Sequence, residues 1–99
     1  MNIVAITACP SGVAHTYMAA ESLEQAAIAR GWTIKVETQG ALGAENEISA
    51  DDVTQADAVI LTTDIELNGT ERFEGKKIIQ TTVKRLVVNP SEALDAVEA

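Results

Sequence analysis

Cys9 is the one cysteine of the 99-residue chain, and it stands where the apolar run Ile3 to Ile6 gives way to Cys9-Pro10-Ser11-Gly12-Val13-Ala14-His15-Thr16. Such a change of composition reads as a strand handing over to a helix that begins near His15. Gly12 tolerates conformations that other residues resist, so the backbone N–H groups of Ser11 to His15 can converge on one point. A nest of that kind at a helix start attracts anions. A thiol at its rim has its thiolate favoured, and an anionic group on the sulfur would be solvated by the same amides. The loop therefore suits a covalent S-phosphate, or an oxyanion that the sulfur attacks.

Each residue of the string also has a plainer reading. A cysteine can be a small buried hydrophobe, but Cys9 follows the apolar run instead of lying within it, with Pro10 and Gly12 shaping the chain just downstream. His15 can donate to a phosphoryl oxygen or be an ordinary polar residue of a first helical turn, where the dipole disfavours its charged form. Ser11 and Thr16 offer hydroxyls and are equally common at helix starts. Pro10 and Gly12 form backbone and do not react. One cysteine and one histidine around a tight loop make no metal set.

The elements that must hold this loop are read as follows. Ile3 to Thr7 is nearly all apolar, as in a strand buried on both faces. His15 to Arg30 is helical, with Ala19, Ala20, Leu23, Ala26 and Ala27 on one face and Gly31 as the stop. Trp32 to Thr38 alternates as a second strand nearer a sheet edge, and Gln39 to Ala44 is a glycine-bearing loop that either walls the site or is a plain connection, with little beyond Gln39 able to act on an anion. Ser49 caps a short helix ending near Ala56. Asp57 to Thr62 and Lys77 to Gln80 are further strands, with Phe73 anchoring the polar excursion between them. Thr81 to Val88 is ambiguous between helix and extended chain. Asn89, Pro90 and Glu92 predict a capping box opening a last helix. Strands alternating with helices predict an α/β three-layer sandwich with a mostly parallel four-stranded sheet, Rossmann- or flavodoxin-like, in one domain over residues 1–99. In such sheets the site lies at the carboxyl ends of the strands, near a switch point.

The charge of −8, from 15 acidic and 7 basic residues, disfavours nucleic acid or an anionic membrane surface as partner. One cysteine excludes an internal disulfide and suits a reducing compartment. No run approaches the roughly 18 apolar residues of a membrane span, and the first residues lack a signal-peptide pattern. A cytoplasmic chain is expected. Met1 suggests a free-standing subunit, although a domain cut from a longer polypeptide would look the same. The basic doublets Lys76-Lys77 and Lys84-Arg85 are read as solvated faces, or at best part of a docking surface.

The stretch from Cys9 to Glu21 closely resembles the active-site segment of fructose-family enzyme IIB domains of the bacterial phosphoenolpyruvate-dependent sugar phosphotransferase system. The likeness continues through Lys35-Val36-Glu37-Thr38-Gln39-Gly40, Glu45-Asn46-Glu47-Ile48 and the strand to Thr62, and so spans essentially the whole chain. Ser11 stands where many members have threonine, which keeps the hydroxyl. The resemblance implies a phosphoryl carrier. Cys9 would accept the group from a phosphohistidine on a IIA domain and donate it to a sugar, fructose by family, held by a membrane IIC partner. The loop Pro10 to Thr16 would bind the phosphoryl oxygens, with no metal or cofactor, and the chain would sit in the cytoplasm, peripheral to the inner membrane through IIC.

Two rivals come from other classes. A small cysteine phosphatase also sets a cysteine at a strand end, but follows it after five residues with an arginine. His15 occupies that position here, so the bidentate clamp is missing, and Asp64 is the residue one would propose as general acid. A non-catalytic interaction module is the second, although no dinucleotide fingerprint or Walker lysine follows the first strand. A redox role lacks a second cysteine.

Overall fold

In a computed structural model the described residues are 1–10, 13–40 and 43–99, with the backbone alone described at Val13. Among them five strands form one sheet: β1 (Asn2–Thr7), β2 (Thr33–Gly40), β3 (Gly43–Glu45), β4 (Ala58–Thr62) and β5 (Ile78–Thr81), in the order β3-β2-β1-β4-β5. β1, β2, β4 and β5 are parallel, while β3 runs antiparallel to β2. The mostly parallel α/β sheet is thus as expected, with one correction: it has five strands, not four. The extra strand is the far half of the stretch read as a loop. Gly40 pairs with Gly43, whose φ of 93° lies in the region glycine reaches without strain, so the chain doubles back on β2 instead of leaving the sheet. β2 is consequently one strand in from the edge.

The alternation of side chains along the strands builds two cores. Ile3, Ala5, Val36, Ala58 and Ile60 point to one face, where α1 (Val13–Ala29), α3 (Val83–Val88) and α4 (Pro90–Glu98) cover them with Ala19, Leu23, Ala27, Leu86, Leu94 and Val97. Val4, Ile6, Val59 and Leu61 point to the other, under Ile48, Phe73 and Val53 of the short α2 (Ala50–Gln55). Small alanines on α1 let that helix lie close on the sheet. It stops in a Schellman motif: Gly31 at φ 77° donates to Ile28 O, and Trp32 N–H to Ala27 O.

The Ser49 cap is present, with Ser49 Oγ accepting from Asp52 N–H and Asp52 Oδ2 from Ser49 N–H. The capping box expected at Asn89 does not form. Asn89 closes α3 by donating its N–H to Arg85 O and starts α4 at once. Serving both helices holds its backbone at φ −149°, ψ 76°, with no side-chain cap bond, while Glu92 faces Arg85 at 3.8 Å. The ambiguous stretch resolves into the end of β5 and then helix. Thr82 Oγ1 caps α3 at Arg85 N–H, and Asp64 Oδ1 accepts from Val83 N–H at 2.9 Å.

Candidate active site

Cys9 lies two residues beyond the carboxyl end of β1, the strand whose neighbours β2 and β4 lie on either side. The chain leaves β1 for β2 through α1 on one face and enters β4 from α2 on the other, which makes this the switch point. Cys9 is partly buried against the α1 core. Four residues on, Val13 begins α1, with Ala14 and His15 exposed in its first turn and Thr16 buried. Pro10 is exposed. Ser11 and Gly12, expected to contribute amides to an anion nest, fall outside the described residues.

Two threonines not singled out in the sequence fix both ends of this loop. The Thr7 hydroxyl donates to Thr16 O at 3.1 Å, tying the end of β1 to the first turn of α1 across the Cys9 loop. The Thr62 hydroxyl accepts from Ala8 N–H at 3.1 Å, pinning the residue before Cys9 to the end of β4. All three threonines are buried. A buried hydroxyl so bonded resists displacement, because breaking the bond strands a polar group. Reading Thr7 and Thr62 only as the last residues of their strands, with no role for their hydroxyls, concealed this. Their position, one at the last residue of each central strand, is the signal that could have found them.

On the β2 flank the same end of the sheet is closed by charge. Glu37 is 1% exposed, yet its carboxylate accepts from Arg72 Nη2 at 2.9 and 2.8 Å, from Gln39 Nε2 at 2.7 Å and from Ile48 N–H at 2.8 Å. Burial pushes this carboxyl up, but the hydrogen bonds from Arg72, Gln39 and Ile48 and the charge of Arg72 together outweigh it and hold Glu37 below the usual range. Gln39 also donates to Asn68 O and accepts from Asn68 N–H, both at 2.9 Å. Its amide is thereby committed to joining two loops. Glu37, Gln39, Asn68 and Arg72 line an open cavity of about 340 Å³ with Glu47 and Glu71. The Tyr17 hydroxyl donates to Glu45 Oε1, so α1 is fastened to β3.

The α3 flank is different in kind. His15 and Met18 of α1 face Val83, Lys84, Val87 and Val88 of α3 across a groove of about 410 Å³, with Asp64 at its edge. Asp64 thus serves the N-terminus of α3, accepting from Val83 N–H. Among the described residues no cluster of three His, Cys, Asp or Glu side chains is placed to hold a metal ion, and no helix is long and apolar enough to cross a membrane.

Residues 4–96 match the family described as PTS system, lactose/cellobiose-specific IIB subunit, where PTS is the sugar phosphotransferase system. The chain belongs to the PTS IIB family. Its relatives place it on the fructose-like side of that family, whose description is wider than any one sugar. It is 56% identical over 98 residues to the "PTS system fructose-like EIIB component 2" of Escherichia coli K12, covering 99% of this chain and 92% of that protein. It is 50% identical over 91 residues to the "Fructose-like PTS system EIIBC component" of the same organism, covering 90% of this chain but 19% of that one. A crystal structure of a predicted fructose-specific IIB from Escherichia coli superposes with a TM-score of 0.91 at 47% identity, covering 98% of this chain and 86% of that one. This PTS IIB chain is therefore a sugar phosphotransfer component.

Proposed function

We propose that Cys9 carries the phosphoryl group, and that residues 1–99 act as one domain in doing so. The Cys9 thiolate attacks phosphorus of a phosphohistidine on a IIA partner; the S–P bond forms as the N–P bond breaks, and the imidazole leaves with a proton. A sugar hydroxyl then attacks the same phosphorus, the S–P bond breaks, the thiolate is regenerated and the hydroxyl proton passes to solvent or a base. The observation that carries this reading is the place of Cys9, at the switch point just ahead of the start of α1.

The two threonine bonds hold the loop ends, and amides of Ser11 to His15 would meet the phosphoryl oxygens in both steps. Thr16 is buried and its carbonyl accepts from Thr7, so it also holds the loop to the end of β1. His15 is exposed where a phosphatase would place an arginine. Without that clamp, water attack on the S–P bond gains little help, which suits a carrier that must keep its intermediate. A relative named EIIBC unites B and C in one name, which supports a membrane IIC component as the acceptor's holder and a position for this chain at the cytoplasmic face. The fructose-like relatives favour fructose or a close hexose.

The test is incubation with a phosphorylated fructose-type IIA, followed by intact mass and peptide mapping. A phosphoryl adduct at Cys9, absent in Cys9→Ser and discharged when IIC vesicles and sugar are added, is the expected result. Release of inorganic phosphate without an adduct would replace the carrier with a hydrolase.

A further inference from the structure

We propose that the groove between α1 and α3 is the docking surface for the phosphorylated donor protein, and that Lys84 and Val88 are its principal recognition residues. The proposal rests on the carrier reading and adds to it which face receives the donor.

Two helices supply the walls in pairs at helical spacing: His15 and Met18 on α1, Lys84 and Val88 on α3. Met18 is 51% and Val88 75% exposed, and Val83 and Val87 lie between them. Large apolar side chains that far out of the core, rimmed by a charge, mark a surface that a partner covers. The groove begins in the same first turn of α1 that follows Cys9, so a protein seated there has its reacting group near the loop.

Charge selects the partner. Arg30 pairs with Asp95 and Glu98, Lys35 with Asp52, Arg72 with Glu37 and Arg85 with Glu92. Lys76 and Lys77 donate to backbone carbonyls. Among the described residues Lys84 is the one lysine or arginine left with neither an acid nor a carbonyl. An unmatched cation on a chain of net charge −8 is where an anionic partner loses least to repulsion. The donor arrives bearing the phosphoryl charge, whereas the acceptor offers a neutral hydroxyl. Once the group has moved to Cys9 the spent donor no longer brings that charge to Lys84, which favours its departure.

The test uses Lys84→Glu and Val88→Asp, with Ile28→Asp as a control at an exposed apolar position outside the groove. Phosphoryl transfer is followed against concentration of phosphorylated IIA, and discharge of each charged variant to sugar is followed separately with IIC vesicles. The expected result is a rise of about tenfold in the apparent KM for donor in both groove variants. Plateau rate and discharge stay unchanged, the wild-type rate falls with added salt, and Ile28→Asp behaves as wild type. An unchanged donor KM in both variants, with wild type phosphorylated normally, would overturn the groove while leaving the carrier intact. A defect confined to discharge would assign the face to the acceptor and overturn it too. A wild-type chain that no IIA phosphorylates would sink the carrier reading, and the groove with it.

Discussion

The two flanks of the Cys9 loop are built from opposite materials. On the β2 side, a nearly inaccessible carboxylate is held by three donors, and Gln39 stitches that strand to the loop after β4. On the α3 side there is an open groove of valines, a methionine, His15 and a lysine with no partner among the described residues, with Asp64 also in its lining. On the β2 side Arg72 Nε is the one buried donor left over among the described residues, and a network otherwise so fully bonded is rigid because alternative geometries strand a charge or further donors. An exposed apolar groove has no such penalty and can accept a partner. The difference fits the proposal that the Cys9 loop is positioned from one side and approached from the other.

The sharpest way to break that contrast is Arg72→Met. It leaves Glu37 buried without its counter-charge, and breaking such a pair costs about 3–5 kcal/mol. Urea unfolding should show that loss, and the double variant with Glu37→Gln should recover part of it, since a neutral amide no longer needs the guanidinium. A loss below about 0.5 kcal/mol in the single variant would mean the β2 flank is as adaptable as the other. Acid should attack the same flank. Glu37 titrates in the native state below its unfolded value, and Asp52, held by Lys35 and by the Ser49 N–H and hydroxyl, is lowered to about 2. The native state therefore binds fewer protons than the unfolded one. The stabilisation is complete above the ordinary carboxylate range and lost as pH falls through the lowered native values. Stability measured against pH should decline below about 4, and less steeply in Glu37→Gln.

Gln39→Leu comes next. It leaves the Asn68 N–H and C=O without partners and removes one donor to Glu37, for about 1–3 kcal/mol. Amide exchange at Asn68 should quicken, and unchanged exchange would show that the two loops are joined by something else.

How much of this was legible in the chain follows from how local each feature is. The strand Ile3 to Thr7, the α1 face, the Gly31 stop and the Ser49 cap all depend on neighbours within one turn or strand, and the structure has them where the pattern put them. Cys9 was placed at the strand-to-helix junction for the same reason. The edge strand β3 was hidden because three exposed residues between glycines carry no hydrophobic period. Asn89 misled because the motif takes no account of a second helix ending on the same residue. The Glu37–Arg72 pair, 35 residues apart, and the Thr7–Thr16 and Ala8–Thr62 bonds arise only once the sheet order is known. Gln39, the residue of its loop able to act on an anion, has its amide spent instead on Glu37 and Asn68.

A smaller effect tests the fastening of α1 to β3. Tyr17 is raised above the ordinary tyrosine range, first by its hydrogen bond to Glu45, then by partial desolvation and the Glu45 charge, with Thr38 opposing. Because the protonated phenol is the bonded form, its contribution is present below the ordinary value and lost as pH rises through the raised one. Tyr17 is the one tyrosine of the chain, so an ultraviolet titration reads it directly. Glu45→Gln should bring that titration back toward the ordinary value, and an unmoved curve would show that Glu45 does not hold the phenol.

The smallest expected change is in some ways the most discriminating. Lys84→Glu and Val88→Asp alter side chains that face solvent, so unfolding free energy should stay within about 0.5 kcal/mol of wild type. Lys84 has no partner to lose among the described residues, and Val88, with 75% of its surface exposed, has little burial to forfeit. A polar residue at Val88 could even be tolerated better than valine by the isolated chain. Stability that is indifferent to these changes, beside an Arg72→Met variant that is not, would separate the two flanks by measurement: one maintained by the fold's own energetics, the other kept apolar and basic for something outside the chain. If instead Val88→Asp unfolds the protein as readily as Arg72→Met does, the α3 groove is a part of the core, and the contrast between a positioning flank and a receiving flank fails.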